Sequence, residues 1–455
     1  MQEVKGSGKK YVVLVPLALQ GHITCMLQLG SILHSRGFSI IVAHPQHNSP
    51  NPQNQPEFDF VSLPDNVSSL EDTSFSNVLE ILSTIFANFG SPLQDYLVQI
   101  MEKHEIVCII YDSVMHFVDS IATHLKLPSI VMRPHTAAYN LSDLTIIRLY
   151  SENKLPMQES QLEEIVPGFH PFRFKDMSYL VTSSQMDDGG CQFWKDLNNI
   201  GSSRAIIYNT IEDLESSPLS LLQEHYKVPL FCIGPFHKFG PPIQTSLLKA
   251  DNSCIAWLDL QPPNSVLYIS FGSGSTMDEK QLIEAAWGLV KSEQSFIWVV
   301  RSESVNESKW LEKMPEDIQQ VIRERGLIVK WAPQKEILAH SAVGGFWNHG
   351  GWNSVLESIC EGIPMICTPF MADHGVITRY VTHVWRVGLE MESTSKREVI
   401  EKTIQRLMVD IEGKEMKKRA LDMKQHLEVC VEKGGPSYDS IDKLTEFITS
   451  LSLNK

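Results

Sequence analysis

Short apolar runs recur along the chain, and more polar segments with helical periodicity separate them. The runs are rich in Val, Ile, Phe and Tyr, which favour β-strands. In the first half of the chain they are YVVLV (11–15), FSIIVAH (38–44), IVCIIY (106–111), SIVM (129–132) and AIIYN (205–209). In the second half they are VLYISF (266–271), SFIWVV (295–300), LIVK (327–330), VGGFW (343–347) and MICTP (365–369). Strands that alternate with helices predict parallel sheets covered by helices, and therefore an α/β fold of two Rossmann-like domains.

A segment rich in Pro and Gly, from Gly234 to Pro242, separates the two groups of runs and predicts a linker. We therefore expect an N-terminal domain at 1–238 and a C-terminal domain at 239–435. A closing helix is predicted at 436–455, because apolar residues follow Pro436 at helical spacing: Ile441, Leu444, Phe447 and Ile448.

Length and composition narrow the function classes. A chain of 455 residues is long enough for two domains with substantial cores. Its formal net charge of -15, with scattered lysines, argues against a surface that binds nucleic acid, although a nucleotide bound in a pocket stays possible. The 8 cysteines form no CxxC pair and several lie in apolar runs, which predicts reduced thiols and a cytoplasmic protein. No apolar stretch reaches the about 18 residues of a membrane span. We expect a monomer.

Two polar residues each follow a predicted strand. In open α/β sheets ligands bind at the carboxyl ends of the strands, where His22 and Asp112 are expected. A histidine there can take a proton from a hydroxyl, and a carboxylate beside it would hold the productive tautomer. The alternatives are that His22 only begins a helix and that Asp112 only caps the next one. Sequence alone does not decide between them.

The stretch HGGWNSVLESICEGIP predicts a helix that begins near Asn353 and is preceded by Gly350 and Gly351. A helix start attracts anions, and glycines let a phosphate approach the backbone, with His349 as a further donor. An S-x-x-E capping box formed by Ser354 and Glu357 fits the spacing equally well.

Other nucleotide motifs are absent from the sequence. The loop SFGSGST after the strand at 266–271 resembles a phosphate cradle, but no Gly-Lys-Ser/Thr follows it. The first strand is not followed by GxGxxG, and no GxSxG occurs, which disfavours a dehydrogenase and a serine hydrolase.

The stretch FMADHG places Asp373 directly before His374, after the predicted strand at 365–369. The pair could act in acid–base chemistry, bind a metal or hold hydroxyl groups. Because no cluster with metal-ligand spacing accompanies it, we expect no metal.

The window from Trp331 to His374, WAPQKEILAHSAVGGFWNHGGWNSVLESICEGIPMICTPFMADH, resembles the donor-binding signature of plant family-1 UDP-glycosyltransferases. QGHITCMLQL, VLYISFGS and KGGPSYDSI also occur in family order, so the resemblance covers the whole chain. It implies a GT-B fold, with two Rossmann-like domains facing across a cleft. It also implies inverting transfer of a sugar from a UDP-sugar to a hydroxyl, with no metal or other cofactor.

The resemblance also implies residue roles. His22 corresponds to the general base and Asp112 to its partner. Donor contacts are implied for Trp331 and Ala332 with the uracil; Gln334 and Glu357 with the ribose; Ser273, His349, Asn353 and Ser354 with the diphosphate; and Trp352, Asp373 and His374 with the sugar.

Several positions depart from the family pattern. Thr, Cys and Gln are usual where this chain has Asn348, Gly350 and His374, and Pro is usual at Ala18 and Cys25. Pro134 stands where relatives often have a Thr that contacts the sugar. We expect glucose as the donor sugar. Galactose is an alternative, because His in place of that Gln is associated with galactose in some relatives, and a pentose is another.

The acceptor is expected to be a small lipophilic metabolite, such as a terpenoid, a phenolic or a hormone, bound mainly by the N-terminal half. Candidate wall residues are Phe86, Met115, Phe117, His135 and Tyr139, and the alternative is that these aromatic and apolar residues belong to the core. A rival hypothesis is a catalytically idle protein that binds a nucleotide sugar. The presence of both His22 and Asp112 counts against it.

Overall fold

The computed structural model of the chain describes residues 9–67, 75–177, 181–182, 188–241, 243–274, 277–301 and 309–452. The described residues form two compact units. The first takes in those of Met1–Glu152, Met186–Leu247 and Cys430–Lys455, and the second those of Asn153–Gln185 and Leu248–Val429. These ranges differ from the domain bounds suggested by the sequence, which stay a prediction.

Parallel strands and helices alternate along both units. The strands are β1 (Lys10–Val15), β2 (Ser39–Pro45), β3 (Asp59–Leu63), β4 (Glu105–Asp112), β5 (Ser129–Arg133), β6 (Ile206–Tyr208), β7 (Leu230–Cys232), β8 (Val266–Ser270), β9 (Ser295–Val299), β10 (Gly326–Val329), β11 (Val343–Asn348), β12 (Met365–Cys367) and β13 (Gly388–Glu390). The helices are α1 (Gln20–Ser35), α2 (Phe75–Asn88), α3 (Gly90–Met101), α4 (Val118–His124), α5 (Ala137–Ser151), α6 (Asp188–Asn198), α7 (Ser216–Tyr226), α8 (Ser253–Leu258), α9 (Glu279–Ser292), α10 (Lys309–Glu312), α11 (Glu316–Arg325), α12 (Gln334–Leu338), α13 (Trp352–Cys360), α14 (His374–Arg379), α15 (Arg397–Met408), α16 (Ile411–Val431) and α17 (Pro436–Leu451).

The first unit contains a seven-stranded sheet in the order β3-β2-β1-β4-β5-β6-β7, and its strand pairs are parallel. Successive side chains of a strand point to opposite faces, so β1 contributes Val12 and Leu14 to one apolar cluster and Val13 and Val15 to the other. Both faces are therefore buried, which explains the continuous apolar run of β1. The helix predicted from Pro436 is confirmed as α17.

Helix α17 completes one of these two clusters. Its Ile441, Leu444 and Ile448 are almost fully buried in the cluster that contains Val12 and Leu14. The helix contacts β4 and β7 of the same sheet. A segment from the end of the chain therefore forms part of the core of the first unit.

The second unit contains a six-stranded parallel sheet in the order β10-β9-β8-β11-β12-β13. Trp298 of β9 and Trp347 of β11 are among its largest buried side chains. Each apolar run that the sequence analysis interpreted as a strand contains one. The strands that were not predicted are β3, β7 and β13, and all of them lie at the edge of a sheet.

Within the described residues, none of the helices combines the length and the apolar character needed to cross a membrane.

Candidate active site

His22 and Asp112 lie in contact at the carboxyl edge of the first sheet. Strands β1 and β4 are neighbours in register, with Val15 opposite Tyr111, so the residues that follow them emerge side by side. His22 lies in the first turn of α1, and its Nδ1 is 2.7 Å from Oδ2 of Asp112. The predicted pairing in space is confirmed.

The two oxygens of Asp112 have different partners. Oδ1 accepts a hydrogen bond from the backbone N–H of Val114 at 3.0 Å, which caps the short 3-10 helix Ser113–Met115. Oδ2 faces His22. The cap and the imidazole contact, which the sequence left as alternatives, therefore exist together.

This contact determines which nitrogen of His22 can act as a base. A neutral imidazole that donates its Nδ1 proton to a carboxylate carries its lone pair on Nε2. The His22 side chain is 25% exposed, whereas that of Asp112 is fully buried. The arrangement therefore presents a basic nitrogen, and a buried carboxylate stabilises the imidazolium that forms when it takes up a proton.

His135 lies near this pair, after β5. Burial first, and then the positive charge of Arg133, lower the pKa of His135 to about 3, so this ring is neutral at neutral pH. Its Nδ1 is 3.1 Å from the carbonyl oxygen of Thr136, and its ring meets that of Tyr139 edge to face. Because Nδ1 donates to this carbonyl, Nε2 of the neutral His135 can accept one hydrogen bond, and the ring adds no charge beside His22.

The other candidates for the acceptor wall divide into two kinds. Met115 and Tyr139 are buried, which agrees with the core interpretation for both. Phe86 and Phe117 are half-buried and pack edge to face with their ring centres 5.7 Å apart. Sequence reasoning missed their ring neighbours His116 and Phe193, since neither belongs to a recognisable motif.

Three residues predicted to bind the donor form one hydrogen-bonded group in the second unit. The side-chain amide of Gln334 donates to Oγ of Ser354 at 3.0 Å and to Oε2 of Glu357 at 2.8 Å. The capping-box interpretation of Ser354 and Glu357 is wrong. Helix α13 begins at Trp352 with Gly351 as its N-cap, so Ser354 is the third helical residue and its hydroxyl faces α12.

The remaining residues predicted near the nucleoside lie on the loop after β10. Trp331 is half-buried, and Ala332 is buried. The backbone carbonyl of Trp331 accepts a hydrogen bond from the N–H of Asp251 at 2.9 Å, which fixes the path of this loop.

His349 occupies a space that glycines leave open. A Cβ at Gly351 would lie 2.2 Å from Nε2 of His349, and one at Gly272 would lie 2.7 Å from its Cε1. Gly350 has a φ of +83°, a conformation that glycine adopts without strain. Burial first, and then the charge of Arg301, lower the pKa of His349 to about 4.

The start of α13 lies directly after this histidine. Its N-cap, Gly351, offers no side chain to the first turn, in which Trp352 is buried and Asn353 is half-buried. The positive end of the helix dipole and the backbone N–H groups of this turn make it suitable for a phosphate. Ser273, half-buried on the loop after β8, belongs to the neighbouring strand end.

Asp373 and His374 lie at the start of α14, with Asp373 as its N-cap residue. Nδ1 of His374 accepts hydrogen bonds from the backbone N–H groups of Phe370 at 3.4 Å and Met371 at 3.3 Å. Burial first, and then His349, hold the pKa of His374 well below its usual value. The ring is therefore neutral and carries its proton on Nε2, 3.9 Å from Oδ1 of Asp373.

The His374 and His349 rings meet edge to face with their centres 4.8 Å apart. This contact brings a residue predicted at the diphosphate beside one predicted at the sugar. The residues that the sequence assigned to the donor thus extend over the ends of β8, β10, β11 and β12 and along α12, α13 and the start of α14.

Comparison with known proteins gives a consistent result. A family model described as UDP-glucoronosyl and UDP-glucosyl transferase matches residues 231–425. The chain is 50% identical over 446 residues to UDP-glycosyltransferase 76E1 of Solanum lycopersicum, with 97% of this chain and 93% of that protein covered. It is 41% identical to Flavonol 3-O-glucosyltransferase UGT76E12 of Arabidopsis thaliana, with 97% of this chain and 98% of that protein covered.

The fold has a close counterpart among solved structures. Phytolacca americana UGT2, complexed with UDP-2fluoro-glucose and pterostilbene, superposes with a TM-score of 0.80 at 26% identity. The match covers 97% of this chain and 100% of that chain. Together with the two parallel sheets, this likeness confirms the expected GT-B fold with two Rossmann-like domains.

Proposed function

This chain belongs to the family of plant UDP-glycosyltransferases, which transfer a sugar from a UDP-sugar to a small molecule, and we propose that its donor is UDP-glucose. The proposed acceptor is a hydroxyl of a small lipophilic metabolite, such as a terpenoid, a phenolic or a hormone. The related Arabidopsis thaliana protein is named a flavonol glucosyltransferase, which supports both the sugar and a phenolic acceptor.

The observation that carries the proposal is the contact of 2.7 Å between His22 and Asp112. Nε2 of His22 takes the proton of the acceptor hydroxyl while the hydroxyl oxygen attacks the anomeric carbon of the sugar. The bond between that carbon and the diphosphate oxygen breaks. Asp112 stabilises the resulting imidazolium. General-base catalysis of this kind is typically worth roughly 10²–10⁴-fold in rate.

The leaving diphosphate gains negative charge as its bond to the sugar breaks. The first turn of α13 offers backbone N–H groups and the positive end of the helix dipole to this charge, and His349, Asn353 and Ser354 lie in or next to that turn. Such donors lower the barrier most where charge develops, so the reaction proceeds without a metal. Attack opposite the leaving group inverts the anomeric carbon.

Half-buried aromatic rings support a lipophilic acceptor. Phe86 and Phe117 keep part of their surface accessible, and desolvation lowers the pKa of the neighbouring His116, so this ring is neutral too. An apolar surface with neutral polar groups suits a planar or hydrophobic molecule better than a charged one.

Turnover by the purified protein tests this function. UDP release should be measured with UDP-glucose, UDP-galactose and UDP-xylose against a panel of terpenoid, phenolic and hormone acceptors. The product mass identifies the sugar, and its anomeric configuration by NMR tests inversion. Activity should persist when a chelator removes metal ions. Lack of UDP release with every combination of UDP-sugar and acceptor would contradict the proposal.

His22→Ala distinguishes an enzyme from an idle nucleotide-sugar binder. We expect turnover to fall by about 10²-fold or more while the affinity for UDP is kept, because His22 acts on the acceptor proton. The matched control is His124→Ala, which removes an exposed histidine of the same unit. Equal turnover of His22→Ala and the wild type would contradict the assigned base.

A second candidate donor is UDP-galactose, because His374 stands where the family usually has Gln and His is associated with galactose in some relatives. A glutamine side chain offers both a donor and an acceptor to a sugar, whereas this histidine uses Nδ1 for two backbone N–H groups and retains only its Nε2 donor. His374→Gln should therefore change the ranking of UDP-glucose, UDP-galactose and UDP-xylose by kcat/KM. An unchanged ranking would rule out His374 as a determinant of donor specificity.

A further inference from the structure

The residues assigned above to the diphosphate lack a positive side-chain charge. Ser273, Asn353 and Ser354 are neutral, and the lowered pKa of His349 makes it neutral as well. Two of the other residues assigned to the donor, Glu357 and Asp373, are carboxylic acids. Since the diphosphate of a UDP-sugar is an anion and gains charge on leaving, a nearby cation would complete the site.

Arg301 lies at the same edge of the second sheet as these residues. It follows the end of β9, Ser273 follows β8 and His349 follows β11. The sheet order places β8 between β9 and β11, so the three segments leave neighbouring parallel strands. Residues at adjacent carboxyl ends share the ligand side of an open α/β sheet.

The side chain of Arg301 turns toward this group. Its Nη1 donates a hydrogen bond to the backbone carbonyl of Ser273. Its charge also reaches His349, where it opposes protonation of the imidazole. A guanidinium carries a permanent positive charge and five N–H donors in a planar fork, which suits phosphate oxygens, and the bond to Ser273 fixes its position at this edge of the sheet.

We propose that Arg301 is a donor-binding residue that contacts the diphosphate of the UDP-sugar from the β9 side of the site. It supplies the positive charge, and the first turn of α13 supplies oriented N–H groups from the other side of β8. This assignment rests on the proposed function, because it presumes that the group bound there is the diphosphate of UDP. Arg301 thereby stabilises the bound donor and, more strongly, the leaving UDP.

A ligand series separates this role from a purely structural one. Uridine has no phosphate, UMP has one and UDP has two, and their affinities can be measured by calorimetry for the wild type, Arg301→Gln and Arg301→Lys. Glutamine can still donate to the Ser273 carbonyl but has no charge. Arg323→Gln is the control, because Arg323 is an exposed residue of α11 in the same unit.

For Arg301→Gln we expect UDP affinity to fall by about 10- to 100-fold while uridine affinity stays within about twofold. Arg301→Lys should lose less UDP affinity than Arg301→Gln, and kcat with the best UDP-sugar should fall in both. Melting curves check that each variant is folded. If Arg301→Gln does not fold, the UDP and uridine affinities of Arg301→Lys are compared with those of the wild type instead.

Equal losses for uridine and UDP would show that Arg301 only supports the loop of Ser273, and unchanged UDP affinity would remove it from the site. Either result overturns the assignment while turnover by the wild type is intact. Failure of the wild type to release UDP from any UDP-sugar would instead contradict the proposed function.

Discussion

At the residue scale, Asp112 shows how one carboxylate serves both structure and chemistry. Asp112→Asn keeps an oxygen for the Val114 N–H but turns an amide N–H toward His22, which favours the wrong imidazole tautomer. We expect turnover to fall by roughly 10²–10⁴-fold with little change in stability. Asp112→Ala should also lose the cap, at about 1 kcal/mol.

Urea unfolding and steady-state kinetics with the same UDP-sugar measure both effects. UDP affinity should be unchanged in both variants, because Asp112 lies in the first unit and the donor residues in the second. Full activity of Asp112→Asn would show that the carboxylate is only a cap.

Gly351 tests the importance of the space around His349. Its φ of −69° is accessible to alanine, so Gly351→Ala adds no backbone strain. The new methyl group would lie 2.2 Å from Nε2 of His349 and must displace that ring. We expect UDP affinity to fall by about 10-fold or more, the usual cost of losing a hydrogen bond to a charged group.

The control is Arg323→Gln, which changes an exposed residue of α11 in the same unit. Calorimetry with UDP should therefore distinguish the two variants, and equal affinities would mean that the His349 position is unimportant for binding.

Much of this site could be anticipated from the sequence, and the reasons differ between residues. His22 and Asp112 follow strands that proved to be neighbours, so a topological rule placed them together. Ser354 was ambiguous, because its spacing to Glu357 fits a capping box and only the helix start at Trp352 decides against it. Arg301 and Phe193 lie outside motifs, and their importance depends on contacts that one sequence does not display.

At the element scale, the segment around the short 3-10 helix Phe174–Asp176 packs against α14, which begins with His374. A Cβ at Gly375 would lie 2.4 Å from the carbonyl oxygen of Asp176, so the two backbones are in close contact. The Arg173 side chain forms two hydrogen bonds with the Asp176 carboxylate, at 2.6 and 3.0 Å, and Arg379 of α14 lies 3.5 Å from it.

Asp176→Ala removes the carboxylate shared by these two arginines. Because Asp176 is almost fully buried, we expect the free energy of unfolding to fall by about 3 kcal/mol. Glu163→Ala is the control, since Glu163 pairs with the same Arg173 but is 67% exposed, and it should have a much smaller effect. Urea unfolding of both variants makes the comparison, and equal losses would contradict the role of burial.

The strands that sequence analysis missed have a physical feature in common. β3, β7 and β13 are edge strands, and each is short or partly exposed: the residues of β3 are mostly accessible, and β7 and β13 contain three residues each. A strand with one unpaired side needs fewer apolar residues, so its pattern is weak. The central strands are buried on both faces and are visible as continuous apolar runs.

At the scale of the whole molecule, neutral histidines make stability depend on pH. The pKa values of His135 and His349 are about 3 and about 4, and that of His374 is also lowered. An unfolded histidine takes up a proton near pH 6.5, so below that pH the unfolded chain binds more protons than the folded one. Stability should therefore be full above pH 6.5 and fall toward pH 4, by up to ~1.4 kcal/mol per pH unit for each histidine.

Raised carboxyl pKa values act in the opposite direction. Burial raises the pKa of Glu215 and of Glu390, so these groups favour the folded state as the pH falls into the carboxyl range. Urea unfolding at pH 7 and pH 5 tests the balance, because the histidine effect dominates there. His374→Gln should make the decrease shallower, and equal stability at the two pH values would contradict the prediction.

The return of the chain to its first unit through α17 determines when that unit can be completed during synthesis. A ribosome makes the strands β1–β7 first, then the whole of the second sheet, and only afterwards α17, whose Ile441, Leu444 and Ile448 complete an apolar cluster of the first unit and which contacts β4 and β7. Until then the apolar surface that α17 covers stays exposed on the nascent first unit, so chaperones have a surface to recognise until this helix is made. A premature stop codon just before Pro436 would therefore leave the later-made second sheet with its core complete and the core of the first unit unfinished.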